Sequence, residues 1–373
     1  MATPEQKAAA QAKKRRPSRG ASHPAVVIGS AVFTFLLFLA VGGGLVAWYA
    51  EGQYTAPGPL TAEKTVVIPR GQGTRDVAEL LEREGVVRNW MLFVGSQQIA
   101  RRGEQLQAGE YEFPARASIA DVLDTIIDGR VVQHQITIPE GLTSQQIVER
   151  LNASDLLTGT ARMPQEGTLL PETYRITRGM KRDDVLARMS AEQQKLVREL
   201  WEKRDPSLPL KSPQEMVVLA SIVEEETGKP DERPRVAAVF INRLNRKMRL
   251  QSDPTIIYGI AGGKGGLGRA ITRTDITTPT PYNTYAIDGL PPTPISNPGK
   301  EALAAVANPA RSKDLFFVAD GTGGHAFAET LDQHNRNVAR WREIEASQKA
   351  ATPPAPGGGA GTGANPAVPA TSN

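Results

Sequence analysis

The groups able to do chemistry in this chain are mainly carboxylates, amides and tyrosines, and one glutamate closes a well-marked helix. The segment from Ser212 to Pro230 signals a helix at both ends. Ser212 with Glu215 three residues on makes a capping box, and Pro213 takes the first helical position, where a missing N–H costs nothing. Gly228 and Pro230 are expected to end the helix. At about 100° per residue, Met216, Leu219, Ile222 and Val223 form one stripe. Glu226 falls near the middle of that stripe, while Glu224 and Glu225 point away from it. A glutamate facing the core is costly to ionise, so its pKa rises toward the range of a general acid at neutral pH. A solvated charge run, with Glu226 in a salt bridge or at a frayed helix end, is the alternative that the pattern leaves open.

Other chemistries find less support. The absence of cysteine removes thiol catalysis, zinc–thiolate sites and a disulfide framework. The four histidines, His23, His134, His325 and His334, show no metal-ligand spacing, so no metal or cofactor is expected. His325 reads as a brace for its loop. No Gly-x-Ser-x-Gly elbow occurs. Gly259 to Gly268 lacks the Gly-Lys-Ser/Thr of a phosphate loop and reads as a flexible surface loop. What remains is Glu226, Asp253 in Gln251-Ser-Asp-Pro254, Glu172, Asn242, Tyr282, Asn283, Tyr285 and Asn297. That inventory suits sugar polymers, whose hydroxyl and N-acetyl groups need amide and carboxylate partners and whose ring faces stack on aromatics. Asp253 opposite Glu226 with a water between them would make a two-carboxylate inverting hydrolase. An Asp before Pro is more commonly a cap or turn residue.

The elements that must position these groups lie far along the chain. Residues 1–24 form a basic tail holding six Lys/Arg against Glu5, which accounts for the whole chain's net charge of +4 and leaves no case for nucleic acid. Residues 25–50 are uncharged and apolar, long enough to span a bilayer, with Trp48, Tyr49 and Tyr54 where an aromatic belt would lie. The basic side sets the tail in the cytoplasm. A retained anchor fits better than a cleaved signal peptide, because Trp48 spoils the cleavage site. A linker follows over 51–63. Then two similar units occur: Thr65-Val-Val-Ile-Pro-Arg-Gly71 and Gln135-Ile-Thr-Ile-Pro-Glu-Gly141 each read as a strand, a Pro-x-Gly turn and a helix, capped by Thr74 or by Thr143/Ser144. A duplicated element and a common strand-to-helix joint both explain this. The fold class expected is α+β, with a small module over 64–131, a larger domain over 132–346 and a disordered Ala/Pro/Gly-rich tail over 347–373. Thr277 to Pro298 has no regular periodicity but is rich in Pro, Thr, Asn and Tyr, as a functional loop is.

Several blocks in order carry a resemblance. Leu219-Ala-Ser-Ile-Val-Glu-Glu-Glu-Thr227, Val239-Phe-Ile-Asn-Arg-Leu244, Met248-Arg-Leu-Gln-Ser-Asp-Pro-Thr-Ile-Ile-Tyr-Gly259, Thr278-Pro-Thr-Pro-Tyr-Asn-Thr-Tyr285, Gly289-Leu-Pro-Pro292, Asn297-Pro-Gly299, Phe317-Val-Ala-Asp-Gly321 and Pro171-Glu-Thr-Tyr174 resemble the motifs of the endolytic murein transglycosylase (YceG-like) family. The resemblance covers about 132–345, is looser over 64–131 and is absent from both tails. It implies a single-pass protein of the bacterial inner membrane with a LysM-like module and a periplasmic YceG-like catalytic domain. It also implies lytic cleavage of the β-1,4 bond between N-acetylmuramic acid and N-acetylglucosamine in nascent peptidoglycan strands, which terminates their elongation. Peptidoglycan synthases are the implied partners. One Glu followed by Thr or Ser is the family's acid and base, which matches Glu226-Thr227; Thr227, Asn242, Asp253, Tyr282, Asn283, Tyr285 and Asn297 are the expected substrate contacts. A non-catalytic glycan-binding scaffold and a two-carboxylate muramidase are the competing functions.

Overall fold

The computed structural model describes residues 24–100 and 105–351. The basic tail before Pro24, and 352–373 of the expected carboxyl-terminal tail, lie outside the described residues. The chain is mixed helix and sheet and divides into two compact units, Met1–Val132 and Gln133–Asn373.

The first unit opens with α1 (Pro24–Thr55). Phe33, Phe38, Val46 and Trp48 are each more than half exposed on it, so the helix has no core of its own to bury them in. It is long and apolar enough to cross a membrane. It also runs five residues past the expected end at Ala50, until Pro57 disfavours helical geometry in the residue before it. Tyr54, expected in an aromatic belt, packs instead on the unit's core. That core is built by β1 (Lys64–Ile68), α2 (Thr74–Arg83), α3 (Trp90–Ala100), β2 (Gly109–Phe113) and α4 (Ile119–Ile127). β1 and β2 pair antiparallel, with Val66 opposite Tyr111. Val77, Leu81, Phe93, Phe113, Val122 and Ile126 fill the space beneath them. Thr74 is not the cap expected; Gly73 takes that position, and its N–H donates to the Asp76 carboxylate at 3.2 Å.

The second unit begins with β3 (His134–Thr137), α5 (Ser144–Asn152), β4 (Leu157–Thr158), β5 (Thr173–Ile176), β6 (Met180–Lys181) and α6 (Arg182–Glu202). β3 pairs antiparallel with β5, placing Ile136 opposite Tyr174. Here the two Ile-Pro-x-Gly segments prove alike well beyond a shared turn. Gly71 and Gly141 both take left-handed backbone, φ 83° and 80°. Tyr111 and Tyr174 are both buried and face equivalent apolar residues. Each donates its hydroxyl to the carbonyl four residues earlier, Gln107 or Leu170, at 2.8 Å. The same strand–helix–strand–helix arrangement therefore occurs twice. In the second copy α3 has no counterpart; the stretch between α5 and β5 holds only the short β4, and it carries Glu166.

Beyond it lie α7 (Pro213–Glu226), α8 (Arg233–Asn245), α9 (Asp253–Ala261), α10 (Arg273–Thr277), α11 (Lys300–Ala307), the hairpin β7 (Phe316–Ala319) and β8 (His325–Ala328), and α12 (Leu331–Ala351). α7 is buried on every side from Met216 to Val223, which makes it the central helix of the unit. Val236, Val239 and Phe240 of α8 and Leu303 and Val306 of α11 pack on it. Ser212 accepts the Glu215 N–H at 3.2 Å, but the Glu215 carboxylate takes the Lys211 N–H instead of closing the box. α12 continues to Ala351, past the boundary expected at 346, because Val338, Trp341 and Ile344 hold it on the β7–β8 hairpin.

Candidate active site

Glu226 is the last residue of α7. The helix stops because Thr227 turns extended, φ −146°, and no left-handed glycine is involved. The Glu226 side chain emerges where α8, α9 and the 277–298 loop converge, and it keeps partial solvent contact. Its Oε1 accepts the Ser252 hydroxyl at 2.5 Å. Dense protein around the carboxyl pushes its pKa up to about 7; Ser252 and Arg243 oppose the rise, while Asp253 and Glu225 add to it. Asp253, the first residue of α9, is itself raised by burial, and its Oδ1 accepts the Tyr285 hydroxyl at 2.7 Å. Burial and the neighbouring Asp253 push Tyr285 far above its ordinary value, so it remains a donor. Arg243 of α8 is almost fully buried and donates to the Leu315 and Leu250 carbonyls at 2.7 and 2.8 Å. Its fixed positive charge stands near both Glu226 and Tyr285.

The helical wheel misplaced Glu224. It does not point to water: its side chain is 5% exposed and accepts Arg233 Nη2 at 3.0 Å and the Gly299 N–H at 2.8 Å. Arg233 also holds Glu140, at 3.0 Å, so one guanidinium ties together the turn after β3, the end of α7 and the start of α8. A Cβ at Gly299 would fall on the Glu140 carboxylate, so a larger residue there would push that side chain from its place beside Arg233. Glu225 is exposed, in keeping with the wheel; desolvation and then the charges of Glu224 and Glu166 raise its pKa, an effect that its contact with water weakens. Glu166 accepts from Ser144 N and Oγ, Asn297 Nδ2 and Tyr258 at 2.7, 3.0, 2.9 and 3.3 Å, and burial raises it as well.

The residues expected to contact substrate divide into two groups. Asp253 and Tyr285 join Glu226. Tyr282 lies partly exposed with its ring centre 5.1 Å from that of Tyr258, and its hydroxyl pairs with Thr293 at 2.7 Å. The others are bound to the protein itself. Asn283 Nδ2 reaches the Asp275, Ile276 and Thr278 carbonyls at 3.2, 2.8 and 2.7 Å, and its Oδ1 accepts the Tyr285 N–H at 3.0 Å. Asn242 holds the Ser312 and Asp314 carbonyls, and Asn297 holds Leu142 O, Glu166 and the Leu169 N–H. Thr227 accepts the Lys229 N–H inside its own turn. These four side chains hold the protein's own loops: the amide nitrogens donate to backbone carbonyls or to Glu166, and the Thr227 hydroxyl accepts within its turn. Glu172 is exposed on β5's approach. His325 braces its loop on Glu232 through Nδ1, at 2.7 Å, as expected. Asn283→Ala, which strands three carbonyls, should cost about 2–3 kcal/mol in urea unfolding; a loss below 1 kcal/mol would contradict the bracing role.

Sequence reading missed Ser252, Arg233, Arg243 and Glu166. Ser-Asp-Pro reads as the start of a helix, which hides a serine that serves a different helix. The arginines sit on buried faces that no charge pattern flags, and Glu166 lies in a stretch without periodicity.

A protonatable carboxyl at a helix end, gripped by a buried serine and beside a tyrosine-held aspartate, is the kind of arrangement that general acid–base chemistry needs. The YceG-like family profile matches residues 66–340, and the chain belongs to that family. An endolytic murein transglycosylase of Streptococcus pneumoniae is 30% identical over 83% of this chain, and the chain spans 64% of that relative's length. An endolytic murein transglycosylase of Bacillus subtilis is 26% identical over 72% of this chain and 82% of its own. A crystal structure of a yceG-like protein from Listeria monocytogenes is 28% identical, covers 74% of this chain and 99% of that one, and has a TM-score of 0.45.

Proposed function

We propose that this chain is a membrane-anchored endolytic lytic transglycosylase of peptidoglycan. α1 is the single-pass anchor in the bacterial inner membrane, residues 64–131 act as a LysM-like module, and residues 132–346 are the catalytic domain on the periplasmic side. The observation that carries the reading is Glu226: partly open to solvent, its pKa raised to about 7, and hydrogen-bonded among the described residues through one of its two oxygens.

Neutral Glu226 protonates the glycosidic oxygen while an oxocarbenium-like centre develops at C1 of N-acetylmuramic acid. The carboxylate then takes the proton from that sugar's C6 hydroxyl as O6 bonds to C1, which closes a 1,6-anhydro ring and restores the acid. No water is consumed. Tyr282 offers a ring face for stacking, and Tyr285 with Asp253 would hold the N-acetyl group. Such cuts in nascent strands end their elongation, which calls for a peptidoglycan synthase close by. Mass spectrometry of fragments released from purified strands tests the reading: 1,6-anhydro ends support it, whereas reducing ends reject it.

The charge of Asp253 beside Glu226 gives the two-carboxylate hydrolase its one supporting observation. Because Tyr285 already occupies Asp253 Oδ1, Asp253→Asn is expected to retain turnover, reduced about 10-fold. If kcat for Asp253→Asn falls as far as for Glu226→Gln, the hydrolase reading is the better one. The scaffold reading requires Glu226→Gln to leave glycan release unchanged.

A further inference from the structure

Ser252 occupies the N-cap position of α9 yet makes no side-chain capping bond to that helix. A serine at this position ordinarily accepts an N–H of its own first turn, an interaction worth about 1 kcal/mol. Here the hydroxyl turns away and donates to Glu226. The surroundings hold it in that pose. Gln251, the residue before it, takes left-handed backbone at φ 53°, a conformation non-glycine residues rarely adopt. The Ser252 N–H donates to Thr284 Oγ1 at 2.9 Å, and its carbonyl accepts Thr255 Oγ1 at 2.6 Å and Thr284 Oγ1 at 3.4 Å. Ser252 is 1% exposed, and Thr255 and Thr284 are fully buried.

We propose that Ser252 is a positioning residue that occupies Glu226 Oε1, so that both proton transfers of the reaction run through Oε2. This rests on the transglycosylase reading above. A single acid that acts twice, with one oxygen already held, has the other to present each time. A serine hydroxyl donates to the carbonyl oxygen of the neutral acid and, more strongly, to the carboxylate. With Oε1 engaged in both states, the proton sits on Oε2 before cleavage, leaves for the glycosidic oxygen, and returns there from the C6 hydroxyl. The charged groups facing Glu226 are Asp253 of α9, Arg243 of α8 and Glu225 of α7, with Tyr285 alongside; none of them changes when Ser252 is replaced.

The test uses the full chain carrying Ser252→Ala, with Ser252→Cys, a near-isosteric and much weaker donor, deciding the matter alone if the alanine variant fails to fold. The readouts are kcat, KM and the pH profile of anhydro-product release, together with the Glu226 carboxyl titration followed by carbon NMR. Removing a donor from the carboxylate raises its pKa, so the Glu226 titration and the alkaline limb of the rate should both move up by about one pH unit. At the optimum kcat should fall about 10- to 100-fold while KM stays within about 3-fold. An unmoved Glu226 titration, or a loss confined to KM, overturns the proposal. Wild-type enzyme that forms no anhydro product from glycan strands defeats the transglycosylase reading instead, and the NMR titration still reports whether Ser252 anchors Glu226.

Discussion

Glu226→Gln is expected to reduce anhydro-product release by about 10³-fold or more, because the amide can neither give a proton to the leaving oxygen nor take one from C6. The same substitution should make the folded protein more stable at alkaline pH. The carboxyl's pKa is about 7 in the fold against an ordinary 4.5. Between those values the folded state binds the proton more tightly than the unfolded chain does. Stability therefore falls as pH rises through this window, by an upper bound of about 3 kcal/mol, reached just above pH 7. Glutamine carries no such cost. Allowing for Glu226's partial contact with water, Glu226→Gln should gain about 1–2 kcal/mol over wild type at pH 8 and nothing at pH 4. Urea unfolding at the two pH values checks this. A variant that is inactive but shows the same stability difference at both would mean that Glu226 is not held at a raised pKa.

Arg233→Met should produce the largest loss of stability of any single change near the site. Arg233 is 7% exposed and is the shared partner of Glu224 and Glu140, with Glu224 equally buried. Removing the cation leaves a buried carboxylate with only the Gly299 N–H, a loss of about 3–5 kcal/mol. For a unit of this size that is a fall in Tm of about 8–15 °C. Burial already raises the Glu224 pKa, so the orphaned carboxyl can escape the penalty by protonating. The loss should therefore shrink at acid pH, and Glu224→Gln in the same chain should recover part of it at pH 8. An Arg233→Met variant that melts within about 2 °C of wild type at pH 8 would mean the triad is a surface ornament.

Much of this architecture was legible along the chain because it depends on neighbours in sequence. The strands before both Ile-Pro-x-Gly turns, and the helix after the second with Thr143 as its cap, form where the sequence pattern puts them. The apolar helix announced itself by length, and the serine at 212 marked the start of α7. The wheel also selected Glu226, though for an incomplete reason: α7 is enclosed on all sides, so Glu224 is no less buried than Glu226, and what separates them is a cation beside one and none hydrogen-bonded to the other. Likewise, composition nominated Asn242, Asn283 and Asn297 as ligand contacts, and it could not show that their amide nitrogens brace loops.

Sequence alone marked several elements, the start of α7 and the candidate acid, since helix and strand periodicity and capping act over a few residues. Tertiary structure alone decided which carboxylate is paired, which amides are spent, and that a serine 26 positions beyond Glu226 abandons its own helix to grip it. Those outcomes depend on desolvation and on hydrogen bonds between distant segments, and neither quantity exists until the chain has closed on itself.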